Sequence, residues 1–384
     1  MPFLFVLCLA GFASSFAFRA VEPMLPIIAG DLGVTFRQAA LLASAYSFPY
    51  AVMQLVLGPI GDAMGKSRLI RFSILVFTLG LAGSTFAPDY VSLAVARAVT
   101  GGFAGGLVPV AMALIGDRVA YAERQVSISR FLVATIGGQM IGAAIAGALS
   151  GFVGWRGVFG LMAAVAVAAG AAVVFFLKDA NETKTALTVR GAWAGYRSVL
   201  ANPAAPGVLG TVTCEGILVL GVFPFIVPLM VAHGAAGSVE AGIAIGAFSV
   251  GCIVYGTVAS HVLAVLGQVG MMRSGGVIVG AAYAATALPL PWIAVVGLFF
   301  IAGFGFFTLH NTMQTQGTEL APRARGSAMA LFAAIFFLGQ GIGPVLAGVV
   351  VHAYDIRVLF AGAGALVTLL GFAAALVIRR RTME

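Results

Sequence analysis

The chain has 384 residues, 61% of them hydrophobic and only 9% charged, with 51 glycines and a formal net charge of +8. Soluble domains carry roughly a quarter charged residues, so this composition excludes one and predicts an all-α, polytopic membrane protein. The positive charge is a topology signal and implies no nucleic-acid partner.

Apolar stretches of bilayer-spanning length, about 20 residues, lie near 3–29, 37–60, 69–87, 90–116, 127–152, 157–177, 205–231, 241–266, 274–290, 291–317, 326–352 and 357–378. Twelve helices are expected, because only internally hydrogen-bonded backbone is tolerated in lipid. Pro289 and Pro291 alone mark the ninth boundary. The first span has no basic leader or cleavage site and is expected to be kept as a span. Loops on one side hold Lys66, Arg68, Arg71, Arg118, Arg124, Arg130, Lys178, Lys184, Arg190, Arg197, Arg273, Arg323 and Arg325, with Arg379, Arg380 and Arg381 in the tail; opposite loops hold only Arg37, Arg156 and Arg357. The positive-inside rule then puts both termini in the cytoplasm.

Within the first span, Arg19 and Glu22 are charged residues at membrane depth, where charge is costly and usually paired. The second and third spans are joined by Gly58-Pro59-Ile60-Gly61-Asp62-Ala63-Met64-Gly65-Lys66-Ser67-Arg68, which leaves almost no loop. Its glycines suit a tight turn and close approach of helix ends, and Asp62, Lys66 and Arg68 can clamp neighbouring helix ends by charge as a gate. In the fourth span Arg97 lies about 10 Å below the outer end, at 1.5 Å per residue, close to the depth of Glu22. Glu22 is its expected partner, with Arg19 at i, i+3 as competitor. The carboxyl is either protonatable under the control of those arginines or part of a static ion pair.

The fifth span presents Gly138, Gly142 and Ala146 at i, i+4, i+8, a stripe that allows close helix contact. This run returns in the eleventh span as Gly339, Gln340, Gly343, Pro344, Ala347 and Gly348, and the same shift of 201 residues carries Pro23 to Pro224, Gly102 to Gly303, Arg124 to Arg325, Arg156 to Arg357 and Phe159 to Phe360. A six-plus-six duplication follows: residues 1–177 as one six-helix bundle, 178–203 as a polar linker expected to end in a short interfacial helix, and 204–384 as the second bundle. Glu215 in the seventh span is the other intramembrane carboxylate, able to titrate or to meet a cationic substrate, or else simply hydrogen-bonded in the bundle. His310 and Asn311 in the tenth span are further polar candidates, whereas His233, His261 and His352 fall at span ends and are expected to be solvated. Tyr46, Tyr50, Phe18, Phe225, Phe248 and Phe307 could form an apolar substrate wall. Cys8, Cys214 and Cys252 lack paired spacing, and there is no phosphate-cradling loop, nucleophile constellation or metal-ligand cluster, so no cofactor, metal or enzymatic activity is expected.

The hairpin resembles the loop signature between the second and third helices of the major facilitator superfamily, matching at Gly58, Asp62, Gly65 and Lys66. Arg97 to Gly101 is similar to that superfamily's R-x-x-x-G signature in the fourth helix, where the arginine is associated with proton coupling. The fifth-span run resembles the G-x-x-x-G-P-x-x-G-G signature of drug antiporters, except that Ala143 replaces the proline and Ala146 the first of the paired glycines. The stretch from Glu22 to Gly33 also looks like the twelve-helix drug and metabolite exporters. The resemblance implies a monomeric bacterial inner-membrane secondary transporter, with a small organic molecule and protons as partners, substrate bound between the halves and access alternating by rocking. Taken with the charges at membrane depth, it makes Glu22, Arg97, Arg19 and Glu215 the expected proton-coupling residues, with Tyr46, Glu215, His310 and Asn311 expected near substrate. Proton-coupled efflux is the first expectation, with proton-coupled import of a small metabolite, anionic ones included, as the alternative and a non-transporting membrane receptor on the same scaffold as the third.

Overall fold

The computed structural model describes residues 3–177, 189–322 and 324–383. The linker from 178 to 188 and Arg323 fall outside the described residues, as do the side chains of Arg190, Arg379, Arg380 and Arg381. Among the described residues the regular elements are all helical, and they gather into two compact units, Met1–Ala192 and Trp193–Glu384.

The first unit contains α1 (Phe3–Phe16), α2 (Val21–Asp31), α3 (Phe36–Met64), α4 (Lys66–Thr85), α5 (Tyr90–Arg118) and α6 (Tyr121–Phe176). Across the division runs α7 (Val189–Leu200), and the second unit continues with α8 (Ala205–Glu215), a π turn over Gly216–Leu220, a 3-10 turn over Phe223–Phe225, α9 (Ile226–Ala232), α10 (Ser238–Ala285), α11 (Trp292–Thr318), α12 (Arg325–Ala353) and α13 (Ile356–Met383). Among the described residues, nine segments are long and apolar enough to cross a membrane, taking Ala205–Ala232 as one, and the bent α1–α2 pair makes a tenth. Large apolar side chains such as Phe72, Leu79, Phe175 and Leu369 point outward, as expected of surfaces facing lipid.

Helix ends follow local chemistry. Thr35 caps α3 by accepting from the Gln38 N–H while Gln38 reaches back to the Thr35 N–H, and Asp89 with Ser92 does the same for α5. Gly65, at φ 101°, provides the left-handed turn that separates α3 from α4. Within α6 and α10 the helical backbone is interrupted at Gly154 (φ 68°) and Gly267 (φ 61°).

The first span expected over 3–29 is not one helix: α1 and α2 are bent by 43° about residues 17–20. Proline explains the break, because the Pro23 ring clashes with the carbonyl four residues back, at Arg19, and supplies no N–H of its own. Pro224 has the same relation to Leu220, at the end of the π turn. Each unit therefore holds a broken helix at the repeated position, and each break is covered from another helix. The Arg97 Nη1 reaches Ala17 O at 3.5 Å in the first unit, and the Tyr283 hydroxyl donates to Val219 O at 2.8 Å in the second.

Within each unit the helices pack through small residues. α1 lies against α6, where a side chain at Gly138 or Gly142 would run into the backbone carbonyl of Phe12 or Phe16. α3 lies against α5, where Gly101 faces the Tyr46 backbone. In the second unit α10 packs on α11 and α13, α8 on α12, and Gly343 meets Gly221 with Pro344 next in line. These approaches fix which side chains face one another within each interior.

Candidate functional site

Among the described residues two buried clusters of charge occur, one per unit. In the first, the break between α1 and α2 turns Arg19 so that its Nη1 donates to Glu22 Oε1 at 3.0 Å, with 6% and 2% of the two residues exposed. Arg19 also lies over the Phe18 ring at 4.5 Å. This corrects the expected Glu22–Arg97 pairing. Arg97 comes from α5 opposite α3, and the contact at Gly101 lays its guanidinium 4.4 Å over the Tyr46 ring, with Phe159 at 5.9 Å. Among the described residues it reaches no carboxylate within ion-pair distance, although it is 1% exposed. Tyr46 packs on Phe18 and Tyr50, at 5.3 and 5.9 Å between centroids. Glu22 Oε2, Arg97 Nε, the Tyr46 hydroxyl and Gln54 Oε1 are buried without a partner among the described residues.

In the second unit, Glu215 ends α8 where the π turn begins and is 0% exposed. Its Oε2 lies 2.9 Å from His310 Nδ1 on α11. Sequence spacing brought neither residue to the other. The imidazole is ringed by Phe336 at 4.6 Å, Phe306 at 5.1 Å, Phe332 at 5.6 Å and Phe307 at 6.3 Å. One residue on, the Asn311 side chain donates to the Tyr255 hydroxyl at 3.3 Å. Single π turns within helices occur frequently at functional sites, and this one begins directly after Glu215.

At the α3–α4 hairpin, Lys66 Nζ bridges Asp62 Oδ1 at 2.9 Å and Asp117 Oδ2 at 2.8 Å, and Arg118 Nη2 donates to Ser67 Oγ at 2.8 Å. Asp117 was missed by the sequence reading, although it lies one residue before a basic one at the end of α5. Gly65 makes the turn, but Gly58 sits inside α3 with open space where a side chain would be, so it provides no close approach. Arg68 is exposed.

Two features depart further from expectation. His233 is buried, at 7% exposed, with Nδ1 and Nε2 2.8 and 2.9 Å from the carbonyls of Leu290 and Thr286, so it is not the solvated residue its place at a span end suggested. His261 and His352 are exposed. Asp31, at the end of α2, accepts from Trp155 Nε1 at 2.9 Å and from Arg156, which also donates to Ala87 O at 3.0 Å. The repeat partner Arg357 donates to Ala232 O at 2.8 Å, and Ala232 is the residue 201 beyond Asp31. The matched arginines were the signal for this paired staple.

The family model of the Major Facilitator Superfamily matches residues 7–332. The inner membrane transport protein YnfM of Escherichia coli (strain K12) is 24% identical over 96% of this chain and 87% of its own length. The puromycin resistance protein pur8 of Streptomyces alboniger is 31% identical, over 35% of this chain and 27% of that protein. Among solved structures, a crystal structure of a mutant of the nucleoside transporter NupG superposes with a TM-score of 0.84 at 13% identity, covering 98% of this chain and all of that one.

Proposed function

From the premise that this chain belongs to the Major Facilitator Superfamily, we propose that it is a twelve-helix, proton-coupled secondary transporter that exports a small organic compound by alternating access. Twelve spans follow if α6 and α10 each count as two, meeting at Gly154 and Gly267, and if α1–α2 and α8–α9 each count as one broken span. The sidedness of the basic residues then favours cytoplasmic termini in an inner membrane.

The observation that carries the coupling is the Glu215–His310 contact. A guanidinium keeps its charge at all accessible pH, so in the Arg19–Glu22 pair only one of the two partners has a proton to exchange. Imidazole and carboxyl can both exchange protons, and at 2.9 Å in an apolar surround they form one unit that takes up or gives off a proton as access to water changes. The four phenylalanine rings support the imidazolium when the unit is charged. Export fits the similarity to pur8, whose name records resistance to puromycin.

Vesicles holding the purified protein, with an imposed pH gradient, test the reading: substrate and protons should move in opposite directions. Import of an anionic metabolite with protons is the second reading, favoured by the buried guanidinium of Arg97, and would move both together. A protein that moves nothing under any gradient is not a transporter.

A further inference from the structure

Among the described residues of the first unit, three charged side chains are buried deepest: Arg19, Glu22 and Arg97. Arg19 and Glu22 neutralise each other at 3.0 Å, which leaves one positive charge on Arg97. Its contacts are a 3.5 Å donation to Ala17 O and the faces of Tyr46 and Phe159, all of them uncharged. The buried acid of the second unit, Glu215, has a basic partner within 3 Å. A guanidinium cannot shed its proton to escape burial, so the charge at Arg97 calls for an anion or water.

The surrounding groups favour an anion of a particular kind. Arg97 Nε and the Tyr46 hydroxyl are both buried donors without a partner among the described residues, and they belong to side chains that meet, the ring of Tyr46 lying under the guanidinium at 4.4 Å. An oxyanion accepts from both, as planar guanidinium recognition of carboxylates does. A single negative charge balances the cluster, and a dianion would overshoot it. Phe18, Tyr50 and Phe159 give the rest of the surround aromatic faces suited to an apolar body.

We propose that Arg97 and Tyr46 form the anion subsite of this transporter, and that its substrates are organic monoanions, carboxylates or sulfonates with an apolar body. The proposal rests on the transporter reading but holds for either direction of movement. It gives Arg97 a role that its failure to pair with Glu22 leaves open.

The test is binding to the purified full-length protein, measured by calorimetry without a gradient. Probes are benzoate and benzenesulfonate, the neutral benzamide and the cationic benzamidine. Both anions should bind, with benzamide and benzamidine at least about tenfold weaker, since a hydrogen bond to a charged group is worth roughly 1.5–3 kcal/mol. Arg97→Gln should weaken the anions by about ten- to a hundredfold, and Arg97→Lys by less. Where Arg97→Gln does not fold, Tyr46→Phe removes one donor atom and should still weaken benzenesulfonate about threefold or more while leaving benzamide unchanged. Equal or tighter binding of benzamidine, no binding of either anion by the unmodified protein, or anion binding unchanged in Arg97→Gln or Tyr46→Phe overturns the subsite. Flux of benzenesulfonate in vesicles separates the two readings. Binding lost in Arg97→Gln with no flux under any gradient sinks transport and keeps the subsite. Gradient-driven flux of other solutes with no anion binding does the reverse.

Discussion

The two units start from the same local event and end with different chemistry. In each, a proline breaks the first helix, a side chain from another helix covers the exposed carbonyl, and a carboxylate is buried within a turn or two of the break. The first unit places its acid, Glu22, against a guanidinium; the second places Glu215 against an imidazole. Only the second pair joins two side chains that can each give up a proton, since a guanidinium cannot. The two units therefore share the backbone device, and under the proposed function they divide the labour: fixed charge in one, movable proton in the other.

The largest expected effect lies on the proton side. Glu215→Gln should remove the dependence of flux on the pH gradient and cut gradient-driven flux by about tenfold or more, equivalent to at least roughly 1.4 kcal/mol in the barrier to turnover. Glu22→Gln should keep gradient dependence. Vesicle flux at matched protein density is the measurement, and the opposite assignment would reverse the comparison.

Next in size is the fixed pair. Arg19→Gln strands the Glu22 carboxylate in the interior and should cost about 3–5 kcal/mol in unfolding free energy, while adding Glu22→Gln should restore most of it. If the single and double variants lose the same stability, the two residues are not a unit. Packing beside the first pair is a third probe. Gly142→Ala drives a methyl into the Phe16 carbonyl and should cost about 1–3 kcal/mol by denaturant titration, as should Gly339→Ala against Thr213 in the other unit. A neutral outcome at either position would mean that helices there separate at little expense.

The hairpin should move stability least. Asp62 and Asp117 are about half exposed, so Asp62→Asn or Asp117→Asn should change unfolding by no more than about 1 kcal/mol. Turnover should nonetheless fall several-fold, because Lys66 loses one of the two contacts that hold α3, α4 and α5 ends together. Unaltered turnover in both variants would remove the hairpin from the gating cycle.

Much of the helical content could be read from hydrophobic length. The breaks in the first and seventh spans were also present in the sequence, as Pro23 and Pro224, but length alone hid them: an apolar run gives no sign of where its axis turns. That omission displaced the site. With 3–29 taken as straight, Arg19 and Glu22 were only neighbours on a helical face and Arg97 the better partner; once residues 17–20 leave the helix, Arg19 closes on Glu22 and Arg97 is left to Tyr46. Glu215 and His310 stood out separately as polar residues in apolar runs. Their contact spans 95 positions and depends on the register of α8 with α11, which no local pattern encodes. His233 illustrates the same limit, since its burial is set by the carbonyls of Thr286 and Leu290 in another segment.

The division between fixed and movable charge is tested most directly by infrared difference spectroscopy of the purified protein in lipid, titrated across the pH range in which transport is measured. A protonated-carboxyl band should rise and fall with pH in the unmodified protein and in Glu22→Gln, and it should vanish in Glu215→Gln. A band that persists in Glu215→Gln and is lost in Glu22→Gln would contradict the account and place the movable proton in the first unit.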